Sequence, residues 1–406
     1  MKPTAIYFDL AAGLLDPSVF GSGEVYALEL EQVFSRCWTF LGPESWLKAP
    51  GDYLTSTIGE ECVLVWRGRD DQVRAFSNFC LSGRGLVTHS PRGCSSRLAC
   101  ECHGWIYGSD GHSVDSPDVS LPGVSVASYK GLVFGCLDPG APSLTEYLGD
   151  FTWYLDMLLE RRAGGIEAYG DPPLRWLVEA NWKLPMEAFA GDVYREATAH
   201  AATAQVLGQT VLISPEDGLQ VSAGAGAIAL SHVPNDTGAP EVLTSYEVTI
   251  RSEVRARLGE QRTSGSFPIS GIVFPNLAID WQTRTLHCWH PRGPSQTEVY
   301  TYCLVDVEAP IEVREAQRRW SQFLYGPAGM KTAEDVDPWR AISQKAKARS
   351  SRATPLNLQM GLRHERYSED MPGRLSPLLS EMNQRYFYHR WQQLLSGTDV
   401  RSANLE

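Results

Sequence analysis

No stretch of this 406-residue chain stays apolar for the roughly 20 residues that a membrane-spanning helix needs. Residues 1–15 also lack the basic start and apolar run of a secretory leader. A cytoplasmic location with no membrane partner is therefore expected. Positive charge is scarce as well. Lysine and arginine number 36 against 48 aspartates and glutamates, a net charge of -12, and so acidic a chain offers no basic face for a phosphate backbone. That excludes nucleic acid as a partner. The nine cysteines follow no framework-like spacing, which fits reduced thiols in the cytoplasm better than disulfides. Internal repeats and low-complexity segments are absent.

What is present belongs to an ordinary soluble globular protein, 43% hydrophobic and 21% charged, long enough for two domains with real cores. Twelve Trp and sixteen Tyr call for large buried areas or large partner contacts. Residues 24–37 have helical spacing, with Tyr26, Leu28, Leu30, Val33 and Phe34 on one side. Alternation then predicts strands over 53–58, 62–67, 73–78 and 131–137, a small β-domain covering roughly 40–140. Residues 151–165 look helical and lead through Asp171-Pro172-Pro173 into a second domain. Further strands are expected near 175–180, 243–254, 272–281, 283–290 and 297–307. A helix over 311–325, with Val313, Ala316, Trp320, Phe323 and Leu324 on one side, should pack on them. This half reads as α+β.

The chain is organised around residues 181–200, NWKLPMEAFAGDVYREATAH. Met186, Phe189 and Val193 recur at i, i+3 and i+7, so the stretch can be one helix with an apolar face able to cover the same sheet. Asp192, Arg195 and His200 then crowd carboxylate, cation and imidazole together, just after the apolar run Trp176-Leu177-Val178. That suggests a site rather than a solvated surface.

The stretch resembles the iron-binding helix of the Rieske non-haem iron oxygenases, the large (α) subunits of aromatic ring-hydroxylating dioxygenases. Asn181, Trp182, Lys183, Glu187, Phe189, Asp192, Tyr194 and His200 match the family pattern. Ala188 replaces an Asn, and Arg195 stands where the first iron-ligating His belongs. The lead-in VFSRCWTFLGPESWLKAPGDYLTSTIGEE and the tail QMGLRHERYSEDMPG with LSEMNQRYFYHRWQQLL extend the resemblance over nearly the whole chain. It implies a lead-in at 1–39, a Rieske-like antiparallel β-domain at 40–150 and, at 151–406, a helix-grip domain, a curved antiparallel sheet wrapped on helices. It also implies an oxidoreductase role in aromatic compound catabolism, with a 2Fe-2S cluster and a mononuclear Fe(II).

Both metal sites depart from the pattern. A Rieske cluster takes two thiolates on one iron and two imidazoles on the other. The resemblance assigns Cys80, Cys100 and His103 as ligands, but Ser82 replaces the second His, and a hydroxyl is a poor substitute. Cys102 and His89 are the nearest replacements, though neither occupies the lost position. The bland reading has Cys80, Cys100 and Cys102 as simple thiols, or a Cys80–Cys100 disulfide after oxidation. For the iron, the resemblance assigns His200 and, beyond the turn Gly326-Pro327-Ala328-Gly329, Asp335, with Arg195 in place of the other His. Arginine stays protonated and offers no lone pair. At about 4 Å and an effective dielectric near 20, its charge repels a unit cation by roughly 4 kcal/mol, and a divalent ion by twice that. The same charge can serve Asp335, Asp192 or both as counter-ion in an ion pair.

These losses imply that neither metal is held, that no catalytic residue set is intact, and that Asp192, which bridges neighbouring subunits in the family, survives in an inactive frame. The first expectation is a non-catalytic, α-like pseudoenzyme subunit that supports an intact Rieske oxygenase α subunit in a hetero-oligomer. It would form a self-trimer stacked on a catalytic trimer, with ferredoxin engaged only through the active subunit. The second is an active oxygenase that hydroxylates an aromatic or polycyclic substrate with unconventional ligands. The third is an aromatic-ligand binding protein without turnover.

Overall fold

The computed structural model describes residues 7–83, 85–116, 118–209, 213–233, 238–349 and 354–397. Residues 1–6 of the expected lead-in, and Arg84 in the first cysteine loop, lie outside them. The chain divides into two compact units, Phe34–Leu144 and the combination of Met1–Val33 with Thr145–Glu406.

The smaller unit is antiparallel β throughout its pairings. In spatial order its seven-stranded sheet runs Thr39–Pro43, Leu132–Cys136, Gly123–Tyr129, Val73–Ser77, Glu61–Arg67, Asp52–Ile58 and Arg92–Cys94. The hairpin between the Glu61–Arg67 and Val73–Ser77 strands turns through Gly68, Arg69, Asp70 and Asp71, with Asp71 at positive φ. Its core gathers Tyr53, Leu64, Trp66, Phe76, Leu98 and Tyr107 together with the two cysteines Cys80 and Cys100. A two-stranded ribbon, Arg97–Ala99 with Ile106–Gly108, carries the second cysteine loop.

The larger unit is built on a nine-stranded antiparallel sheet. Its order is Ile166–Val178, Thr297–Asp306, Thr285–Pro291, Leu277–Asp280, Phe267–Val273, Gly226–Ser231, Gly218–Ala223, Arg374–Pro377 and Arg366–Tyr367. Its main helices are α1 (Gly23–Glu29), α2 (Thr152–Leu159), α3 (Lys183–Gly191), α4 (Ala201–Val206), α5 (Glu241–Leu258), α6 (Ile311–Tyr325), α7 (Met330–Lys347) and α8 (Met382–Leu395). Helix α3 packs on three central strands and on α8, while α6 packs on the Thr297–Asp306 strand. This is the α+β, helix-grip arrangement that the resemblance implied.

Four expectations need correction. Residues 243–254 are not a strand but the middle of α5. Its buried residues Leu243, Tyr246, Ile250 and Val254 follow at i, i+3, i+7 and i+11, a helical period that β-branched neighbours such as Val248 and Thr249 disguise. The run 272–281 is two strands, Phe267–Val273 and Leu277–Asp280, because Phe274-Pro275-Asn276 turns the chain between them. The helix expected over 181–200 breaks at Asp192, whose φ of -76° and ψ of 63° leave the helical region just after Gly191. On α6, Phe323 is 42% exposed rather than on the packed side.

Candidate functional site

The break after α3 shapes the site. A 3-10 turn, Val193–Ala197, follows Asp192, and α4 starts beyond His200. The carbonyl of Arg195 accepts the backbone N–H groups of both Thr198 at 3.1 Å and His200 at 2.8 Å. This wide turn lets the Arg195 and His200 side chains reach one acceptor. That acceptor is Asp335, buried in α7. Arg195 Nη1 donates to Asp335 Oδ1 at 3.2 Å, and His200 Nε2 lies 2.7 Å from the same oxygen. Outward from there, His200 Nδ1 is 3.1 Å from Glu196 Oε1, and Lys331 Nζ donates to both Glu196 oxygens at 3.0 Å. The guanidinium also stacks 4.9 Å above the Phe189 ring, which packs against His287, Trp289 and Tyr325.

The charges are tuned as one cluster. Burial by itself would lower the Arg195 and His200 values, but Asp335 and other acidic neighbours, Glu196 among them, outweigh it and raise both above the ordinary range. An imidazolium at His200 can donate on both ring nitrogens, to Asp335 and to Glu196. Glu196 is held well below the usual carboxylate range, Lys331 and His200 overcoming its burial. Burial pushes Asp192 up to about 6 against the pull of Arg195, and its Oδ1 has no hydrogen-bond partner. Burial pushes His287 down to about 3, so it stays neutral, between Thr285 and Thr301. A facial iron site needs two imidazoles and a carboxylate turned to one open point. Here an imidazole and a guanidinium both spend N–H groups on the carboxylate itself, and that donor set does not fit.

In the smaller unit, Cys80 and Cys100 are buried free thiols in one core cluster. Cys80 Sγ also lies 3.4 Å from Tyr107 Oη. The Cys100 loop closes tightly, with the N–H of Gly104 donating to the Cys100 carbonyl at 2.7 Å. Ser82 Oγ is 3.1 Å from His103 Nδ1. The serine thus faces the one imidazole and occupies it with a hydrogen bond. Two thiols, one imidazole and a hydroxyl fall one imidazole short of a Rieske donor set. Cys102 and His89 are both exposed, and Cys102 packs instead beside Gly85, where an added Cβ would lie 2.7 Å from its Sγ. Among the described residues, no three His, Cys, Asp or Glu side chains are disposed to hold a metal ion.

The fold therefore brings Arg195, His200 and Asp335 into direct contact, with Asp192 close enough to feel Arg195 and Asp335. It brings Cys80, Ser82, Cys100 and His103 together in the other unit. The sequence reading missed Glu196, Lys331, His287 and Tyr325. Only Glu196 left a signal, four residues before His200 on a helical stretch.

Two family models match the chain. A Rieske [2Fe-2S] domain covers residues 37–130, and a ring hydroxylating alpha subunit (catalytic domain) covers 144–397. Chlorobenzene dioxygenase subunit alpha of Cupriavidus sp. (strain PS12) is 31% identical, over 98% of this chain and 94% of its own length. Biphenyl dioxygenase subunit alpha of Metapseudomonas furukawaii is also 31% identical, over 96% and 92%. A solved naphthalene 1,2-dioxygenase with indole bound in the active site superposes with a TM-score of 0.92 at 27% identity, covering 99% of this chain and 97% of that one. The fold, the paired domains and the full-length likeness agree: the chain belongs to the ring-hydroxylating dioxygenase α-subunit family, Rieske-type oxidoreductases for which a 2Fe-2S cluster and Fe(II) are implied.

Proposed function

We propose that this chain is a non-catalytic α-type subunit of an aromatic ring-hydroxylating oxygenase, one that assembles with an intact α subunit and supports its folding, stability or activity. The observation carrying this reading is the Arg195–Asp335 contact, a buried guanidinium bonded to the carboxylate that would otherwise face the iron. A fixed positive charge at that point disfavours any divalent cation by several kcal/mol, roughly 8 at an effective dielectric near 20. The Ser82–His103 hydrogen bond supports the same reading for the cluster. Iron and acid-labile sulfide analysis of anaerobically purified protein is the test. Neither element is expected. Stoichiometric iron in both units would overturn the proposal. The double repair Ser82→His with Arg195→His is expected to restore colour and iron.

Assembly follows from electron flow. If each subunit's cluster feeds its neighbour's iron around a ring, one inert member in a ring of three leaves a single working pair. A ring of this chain alone, stacked on a ring of intact subunits, avoids that loss and leaves ferredoxin to the active ring. Native mass spectrometry of the co-expressed proteins would contradict this by finding mixed rings.

A second reading, an active oxygenase with unconventional ligands, draws support from the preserved His200–Asp335 contact and from the unpartnered Asp192 Oδ1. It requires cluster absorbance and a rhombic paramagnetic signal on reduction, both absent under the first reading.

A further inference from the structure

The larger unit contains a cavity of about 510 Å³ apart from the Arg195 cluster. Helix α6 borders both: Gln317 lines the cavity, and Tyr325 of the cluster follows about two turns on, roughly 12 Å along the axis. One wall is a single face of α5, where Leu243, Glu247, Arg251, Val254 and Leu258 recur every three or four residues. Phe267, Pro268 and Trp281 supply an apolar wall from the sheet. The size suits a molecule of two or three fused rings.

Charge narrows the class. Four arginines line the space, Arg161, Arg251, Arg262 and Arg284, against one carboxylate, Glu247. Arg161 and Arg284 share Glu247, Arg284 also takes Asp306, and Arg262 takes Asp156. Arg251, exposed on the cavity face of α5, has no carboxylate partner among the described residues. Two further lining donors, Arg161 Nε and Trp281 Nε1, are buried without a hydrogen-bond acceptor. Uncompensated positive charge and idle donors beside an apolar wall ask for an acceptor that carries a ring.

We infer that this cavity binds a flat organic anion, a carboxylate borne on an aromatic or fused alicyclic ring, with the carboxylate on Arg251 and the ring against Val254, Phe267 and Trp281. The inference does not depend on the state of either metal site, and metal analysis and ligand binding can each fail without the other. Calorimetric titration of the full chain with 2-naphthoate and with its neutral amide tests it. The acid is expected to bind at least tenfold more tightly than the amide and to quench tryptophan fluorescence. Arg251→Gln should abolish that preference while leaving the melting temperature of the free protein unchanged. Val248→Glu, at a cavity position 60% exposed, should weaken the acid more than the amide. Equal binding of acid and amide, no binding of either, or unaltered 2-naphthoate affinity in Arg251→Gln would overturn the inference.

Discussion

Arg195 shows how one side chain redirects a site. Its guanidinium donates to the buried Asp335 side chain and rests on Phe189. Arg195→Met removes the cation and leaves the carboxylate with His200 alone. Breaking a buried pair in this way costs roughly 3–5 kcal/mol, and urea unfolding at pH 7 should show that loss. Adding Asp335→Asn should recover part of it, whereas an unchanged midpoint for Arg195→Met would mean that the pair contributes little. Glu187 offers a separate pH signature. Burial lifts its carboxyl to about 8 from 4.5, even though Tyr388 donates to it. A raised carboxyl favours the folded state most below about pH 4.5, and the advantage drains as pH climbs through 8. Glu187→Gln should therefore flatten the fall in stability between those values, by on the order of 2–4 kcal/mol at pH 8. Parallel wild-type and variant stability curves across that window would refute this.

At the scale of elements, α1, α3 and α8 are tied by one buried carboxylate. Glu29 accepts from Lys183 Nζ, Trp182 Nε1 and Trp391 Nε1. Burial lowers the Lys183 value in spite of Glu29, so the ammonium depends on that partner. Glu29→Ala should cost roughly 3–5 kcal/mol by stranding a buried charge, and adding Lys183→Met should be less damaging than the single change. Thermal denaturation of the three variants decides it, and equal losses in single and double variants would count against the tie. The same scale shows why some elements were legible and others were not. Ile311–Tyr325 could be placed from periodicity because its apolar residues sit at helical spacing between Pro310 and Gly326. Helix α5 was not, since the exposed valines Val242 and Val248 interleave with its buried positions, which blurs the period. The break at Asp192 also escaped notice, because nothing local forces it; the carboxyl faces Arg195 and Asp335 only in the folded chain.

Across the whole molecule, the outcome turns on two imidazoles missing from two units. On the non-catalytic reading proposed above, the Ser82→His/Arg195→His protein should carry iron and the parent should not, read as metal per chain; a repaired protein that stays empty would place the cause beyond these two ligands. Single repairs should separate the units. Ser82→His alone is expected to gain cluster absorbance without mononuclear iron, and Arg195→His alone the reverse.

The sequence by itself determined the family, the two-part plan and the positions of Arg195, Ser82, His200 and Asp335, because motif spacing and strand alternation are local properties of a chain. It could not disclose that Glu196 and Lys331 close the charge cluster around His200, or that Arg251 of α5 and Arg284 of the turn before the Thr285–Pro291 strand converge on one cavity. Those groups come from distant segments, and their pairing depends on burial and direction, which exist only once the sheet has brought its helices together.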